Sequence, residues 1–264
     1  MTSDTASDSD TRPVVGLFVT CLADLFRPKV AESVVILLEK FGCRVEVPVQ
    51  SCCGQPAFKS GEENKTRTLA LNFINQFDGY EYVVAPSGSC VAMVKMHYPG
   101  LFENGSAEHD SAKVIADKTW ELSQFLLEVL EVDLGDSHET SSRGRSLAVS
   151  YHDSCSGLRE LGIRSGPRKL LRSMRSIDIQ EMGNAEICCG FGGTFCVKYP
   201  EISTRMVDDK IAGIKASGCD VLTGGDLGCL MNIAGRLRRE GSDVRVKHYA
   251  ELLVGDMNEP AIGD

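Results

Sequence analysis

No apolar run in this 264-residue chain approaches the roughly 18 residues of a membrane-crossing helix, so direct membrane insertion is not expected. Positive charge is scarce: 28 Lys and Arg stand against 37 Asp and Glu, a net charge of −9. A phosphate backbone recruits basic patches, so nucleic acid is excluded as a main partner. The basic cluster Arg236, Arg238 and Arg239 reads as a solvated helix face. No secretory signal opens the sequence. Residues 1–12 are acidic and rich in Ser and Thr, and are expected to form a disordered tail on a cytoplasmic protein. A thioredoxin-type C-x-x-C is absent. The glycines Gly190, Gly192 and Gly193 do not complete a G-x-G-x-x-G between strand and helix, which argues against a nucleotide site.

What is plentiful is cysteine, 11 in all. Disulfides are rare in a reducing compartment, so the cysteines need another explanation. Their spacing supplies it, because the two halves of the chain can be laid on each other. VVGLFVTC, ending at Cys21, matches SLAVSYHDSC, ending at Cys155. QSCCGQPAF, with Cys52 and Cys53, matches EICCGFGGTF, with Cys188 and Cys189. EYVVAPSGSCVAMV, with Cys90, matches CDVLTGGDLGCLMNI, with Cys229. Cys21 and Cys52 are 31 positions apart, and Cys155 and Cys188 are 33 apart. An internal duplication is the simplest cause.

Between the apolar runs lie helical patterns. PKVAESVVILLEKFG gathers Val30, Val34, Leu37, Leu38 and Phe41 on one face, and ENKTRTLALNFINQF gathers Leu69, Phe73 and Phe77. EISTRMVDDKIAGIKASG gathers Ile202, Met206, Ile211 and Ile214. TWELSQFLLEVL and VKHYAELLVGD read as the helices that close the two halves. Strands alternating with such helices predict an α/β fold of two tandem pseudo-symmetric repeats. Each repeat is a small parallel-sheet, Rossmann-like unit flanked by helices. The expected boundaries are a tail at 1–12, a first cysteine-rich repeat at 13–131 and a polar Gly/Ser-rich linker at 132–145. A second repeat at 146–255 and a C-terminal tail at 256–264 complete the chain.

In parallel α/β sheets, ligands bind beyond the carboxyl ends of the strands. Cys21, Cys90, Cys155 and Cys229 fall at such ends. Adjacent cysteines share a ligand only where the chain turns, and Gly54 and Gly190 follow each Cys-Cys pair at once. The four sulfurs of each half are therefore expected to converge, and converging thiolates need a cation. Thiolates select iron–sulfur clusters or zinc, and the residues leave that choice open. Backbone N–H groups of the loops PSGSC and GGDLGC are candidate hydrogen-bond donors to such a group. Cys43 and Cys219 read as core residues. Cys196, which has no counterpart in the first half, reads as packing in the core or beside the ligands. His152 is a candidate hydrogen-bonding residue, metal ligand or proton relay.

Two copies of C…CCG…C make the chain similar to the cysteine-rich CCG domain family. Members of that family occur in heterodisulfide reductase and in the iron–sulfur component of glycolate oxidase. The strings FVTCLADLF, CCGQPAF, PSGSCVAMV, CCGFGGTF and DLGCLMNI resemble its lactate-utilisation A branch most closely. The resemblance implies an oxidoreductase subunit without its own flavin, acting with lactate utilisation proteins B and C in oxidising a 2-hydroxy acid, L-lactate, to pyruvate. It implies cofactor-ligating roles for Cys21, Cys52, Cys53 and Cys90, and for Cys155, Cys188, Cys189 and Cys229. The fullest family motif ends in C-x-x-C. Here Ser87 and Asp226 stand at the first of those two positions, leaving four cysteines per half. Four thiolates suit a [4Fe–4S] cluster or zinc, and one half could hold each. A ferredoxin-type C-x₂-C-x₂-C-x₃-C-P run is also absent, so electrons are expected to enter or leave through a partner. The rivals to an electron carrier are a zinc-bound scaffold for such a complex and, more weakly, a thiol–disulfide enzyme using the adjacent cysteine pairs.

Overall fold

A computed structural model of the protein describes residues 12–132, 146–256 and 260–264. Most of the expected linker and of the N-terminal tail lies outside these residues. Among the described residues no helix is long and apolar enough to cross a membrane.

Among the described residues, eight short strands form two parallel sheets. The first sheet contains β1 (Val14–Leu17), β2 (Arg44–Glu46), β3 (Tyr82–Ala85) and β4 (Thr119–Glu121), in the order β2-β1-β3-β4. The second contains β5 (Leu147–His152), β6 (Ile177–Ile179), β7 (Val221–Gly224) and β8 (Arg245–His248), in the matching order β6-β5-β7-β8. Register is equivalent too: Val15 pairs with Tyr82 as Val149 pairs with Val221. The inner strands β1, β3, β5 and β7 are apolar and buried because helices cover both faces, as a parallel sheet requires. The α/β tandem repeat expected from the sequence is the observed architecture.

The fourth strand of each sheet was not expected. TWELSQ and VKHYAE each begin with a strand, and only then turn into helix. β4 and β8 are short and carry polar residues inward: Glu121, Lys247 and His248 are buried. That breaks the apolar alternation by which a strand is recognised. The helix Pro200–Ser217 also turns differently from its pattern. Ile202 faces solvent, while Ser203, Val207, Lys210, Ile211 and Ile214 are buried. Ser203 and Lys210 both meet the loop that carries the second cysteine pair. The Ser203 carbonyl lies against Gly190, where a Cβ would stand 2.6 Å from the oxygen, and Lys210 serves the loop carbonyls of Asn184 and Ala185. In the helix Glu63–Phe77 the buried face is Thr66, Ala70, Phe73, Ile74 and Phe77, with Leu69 only half-buried.

One hydrophobic cluster spans both halves, from Val15, Leu37 and Phe125 to Val149, Leu171 and Leu252. The helix Pro28–Lys40 packs on the helix Tyr249–Leu253 at this seam. Arg27, just before the first of these, donates through Nε and Nη2 to Glu251 Oε1 at 3.0 and 2.8 Å. It also reaches the carbonyls of Pro260 and Ala261, so the chain end expected as a tail is held there. The other oxygen of Glu251 accepts the His248 N–H at 2.8 Å.

Glu251 is fully buried, so removing its partner strands a charge in the seam. Arg27→Ala is therefore expected to cost about 3–5 kcal/mol of unfolding free energy in urea titrations. A loss under about 1 kcal/mol would show that the pair does not hold the halves together.

Candidate metal centre

The eight repeated cysteines all line one cavity of about 360 Å³ between the two halves, beyond the carboxyl ends of both sheets. After β1, Thr20 takes a left-handed φ of 72°, and Cys21 opens the helix Cys21–Phe26. After β5, Ser154 caps the helix Cys155–Arg159, its Oγ accepting the Gly157 N–H. Cys90 lies in the helix Gly88–Ala92 after β3, and Cys229 in the helix Leu227–Arg239 after β7. The adjacent pairs come in on loops that turn at Gly54 and Gly190, at φ 83° and 84°. Left-handed backbone there favours glycine, which explains the third letter of C-C-G.

The halves interlock around the cavity. The helix bearing Cys90 packs on the helix bearing Cys155, and the helix of Cys21 packs on that of Cys229. Gly88 allows the first approach, since a Cβ there would stand 3.0 Å from the Gly157 Cα. Ser89 N–H donates to Asp226 Oδ2 across the seam at 2.8 Å, and Gly88 N–H to the Gly225 carbonyl at 3.3 Å.

Within each half the thiols form a row. Cys21 touches Cys52 at 3.8 Å between sulfurs, and Cys52, Cys53 and Cys90 follow in contact. Cys155, Cys188, Cys189 and Cys229 repeat the row. One sulfur in each row takes the negative charge. Cys52 is held down to about 3, first by the thiol of Cys21 and then by that of Cys53. Cys188 is held down to about 2 in the same way, by Cys155 and Cys189. Their neighbours Cys21, Cys53, Cys155 and Cys189 are pushed up, each chiefly by the thiolate it donates to. Protons alone thus let only part of the row ionise; a bound cation would allow the rest.

Backbone N–H groups also meet the cysteine sulfurs themselves. Gly54 donates to Cys52, Gly190 to Cys188 and Phe191 to Cys189, each at 3.4 Å. In the PSGSC loop the Ser89 and Cys90 N–H groups are engaged instead by Asp226 and by Ser87 Oγ. Side chains fix the second cysteine of each pair from behind: Tyr98 Oη donates to the Cys53 carbonyl at 2.9 Å, and Asn232 Nδ2 to that of Cys189 at 2.8 Å. No regularity of the sequence marked these two donors, which come from different positions of their repeats.

Three of the remaining candidates separate from the row. Cys43 and Cys219 lie in hydrophobic cores. Cys196 is half-buried outside the cavity and donates to the Gly193 carbonyl. His152 is buried at the end of β5, with a ring nitrogen within 4.8 Å of the Cys189 and Cys229 sulfurs. Burial, then the positive charge of Lys210, pushes its pKa down to about 3. Its ring nitrogens make no well-formed hydrogen bond among the described residues.

The cysteine-rich domain model matches residues 15–95 and 149–234, one match per half, each holding one thiol row. The chain belongs to the CCG cysteine-rich domain family. Within it, the chain is 47% identical over 240 residues to the lactate utilization protein A of Halalkalibacterium halodurans, covering 90% of this chain and 96% of the relative. It is 46% identical over 241 residues to the protein of that name from Oceanobacillus iheyensis, again covering 90% and 96%. A crystal structure of a hypothetical protein from Helicobacter pylori shares the fold, with a TM-score of 0.62 at 10% identity over 93% of this chain and 49% of that one. The donor set suits a metal ion or an iron–sulfur group. Each half gathers four thiols, with backbone donors on their sulfurs and no competing disulfide among the described cysteines.

Behind the cavity His248 is buried, its Nε2 against the Pro86 carbonyl at 3.1 Å and its Nδ1 accepting the Ala250 N–H at 3.2 Å. These contacts fix a neutral tautomer, and burial pushes its pKa from 6.5 down to about 4. The unfolded chain therefore takes up a proton first. This contribution to stability is whole above pH 6.5 and is lost as pH falls to about 4, by roughly 3 kcal/mol. Denaturant titrations across that window are expected to show a shallower acid loss in His248→Asn than in the native chain. Equal slopes would contradict the assignment.

Proposed function

We propose that the protein is an iron–sulfur electron-transfer subunit of an oxidoreductase system that oxidises a 2-hydroxy acid, L-lactate, to pyruvate. The observation that carries this reading is the pair of four-thiol rows facing one cavity. Cys21, Cys52, Cys53 and Cys90 would hold one group, and Cys155, Cys188, Cys189 and Cys229 the other. When bound, such groups supply one-electron carriers. The likeness to proteins named for lactate utilisation points to the substrate.

The chain's own residues perform the supporting work. The N–H groups of Gly54, Gly190 and Phe191 offset negative charge on the ligand sulfurs. Tyr98 and Asn232 keep the paired cysteines from swinging away. The helix contacts across the seam fix the separation of the two rows. Converting lactate to pyruvate releases two electrons and two protons. Asp226, the carboxylate on the cavity wall, is already engaged by the Ser89 N–H, and the reading assigns proton removal to a partner. In this reading partner proteins, lactate utilisation proteins B and C, carry out the chemistry on the acid. This chain carries electrons, in a reducing cytoplasm that keeps its thiols free.

The four-thiol rows also suit tetrahedral zinc, which would make the chain a scaffold for the same complex. Iron, acid-labile sulfide and zinc, measured per chain on protein purified without oxygen, separate the two readings. Iron with matching sulfide is expected. Zinc without sulfide would reject electron transfer by this chain.

A further inference from the structure

We propose that His152 is a fifth protein donor to the metal group of the second half, so that the two halves hold unequal sites. The first would offer four thiolates, and the second four thiolates and an imidazole. The inference rests on the metal-binding reading above, and it comes from a place where the repeat breaks.

Three positions before the first cysteine of each row stand Phe18 and His152. Both are buried at the ends of the central strands β1 and β5. In the first half the position is apolar. The Phe18 ring packs edge-on against Phe73 at 4.9 Å and Phe77 at 5.8 Å. In the second half it offers two nitrogens to a space that otherwise contains sulfur. One ring nitrogen and the Cys189 and Cys229 sulfurs all lie within 4.8 Å of one another, a spacing that one metal atom can bridge.

Neither nitrogen makes a well-formed hydrogen bond among the described residues; the nearby Ala185 carbonyl, which weakly favours a proton on the ring, is already taken by Lys210 Nζ at 3.0 Å. A buried imidazole with both nitrogens unsatisfied is costly, unless a partner outside the protein takes one of them. The surrounding groups leave it free. Lys210, the charged neighbour, is tied to the carbonyls of Asn184 and Ala185. Gly224 on β7 leaves room, since a Cβ there would stand 3.1 Å from the His152 carbonyl.

Other candidates for a fifth donor are occupied. Asp226 Oδ2 accepts from Ser89 N–H of the other half, and Asp153 is held by both terminal nitrogens of Arg168 at 2.8 and 2.9 Å. Cys196 is engaged by the Gly193 carbonyl, and it is His152 that lies within reach of the Cys189 and Cys229 sulfurs. Imidazole suits both iron and zinc.

The test is pulsed EPR of the reduced full-length protein, grown with ¹⁵N-histidine or unlabelled, with iron, sulfide and zinc counted on the same sample. A directly coupled histidine nitrogen is expected in the native chain and its loss in His152→Phe, the residue type the first half already uses. The native comparison does not depend on the variant folding. Iron and sulfide without a directly coupled nitrogen, or a coupling that survives His152→Phe, would overturn the inference and leave the iron–sulfur reading standing. If zinc is found instead, X-ray absorption at the zinc edge reads the same donor set, and an all-sulfur shell overturns the inference. A chain that binds neither metal overturns both.

Discussion

Four thiol sulfurs held in contact cannot all ionise without a cation beside them, and the architecture around the cavity follows from that constraint. Contact within the rows pushes Cys52 and Cys188 down and the thiols that flank them up. Everything that brings the sulfurs together costs conformational freedom or burial. Glycines at 54 and 190 hold left-handed backbone, Thr20 holds a positive φ without being glycine, and polar side chains are taken into the core behind the loops. Such expenditure is typical of a preorganised site rather than of a core that happens to contain cysteine.

The two halves depend on each other for the same reason. Each row faces a cavity whose opposite wall is the other row, and the helices carrying Cys90 and Cys155, or Cys21 and Cys229, pack on one another. A shared hydrophobic cluster, the buried Arg27–Glu251 pair and the Ser89–Asp226 hydrogen bond fix that arrangement. Duplication supplied two copies of a site, and the seam turned them into a pair. The copies have since diverged behind the sulfurs. An aromatic stack backs the first row, whereas His152 and Lys210 back the second.

Much of this was legible in the sequence. The apolar runs ending at Cys21 and Cys155, and the glycine after each Cys-Cys pair, were enough to predict parallel strands, a repeat and converging sulfurs. The edge strands β4 and β8 were not legible, because Glu121, Lys247 and His248 point inward where apolar residues mark a strand. The face of the helix Pro200–Ser217 was read correctly at Ile211 and Ile214 but not at Ile202, which is exposed, because Ser203 and Lys210 take inward positions and Lys210 serves the Asn184 and Ala185 carbonyls. The donors Tyr98 and Asn232 come from different places in their repeats, so only the folded chain reveals their common task. The Phe18–His152 difference was printed in the sequence, but its meaning needed the distance from the imidazole to two sulfurs.

The central claim is that each half assembles its own metal group from its own row. It is tested most directly by counting metal and sulfide in the full-length chain with Cys52→Ser and Cys53→Ser, beside the native protein, both prepared without oxygen. The account predicts that the variant loses the first half's share and keeps the second, so that about half of the metal remains. Loss of all the metal, or of none, from a variant that still folds would contradict it.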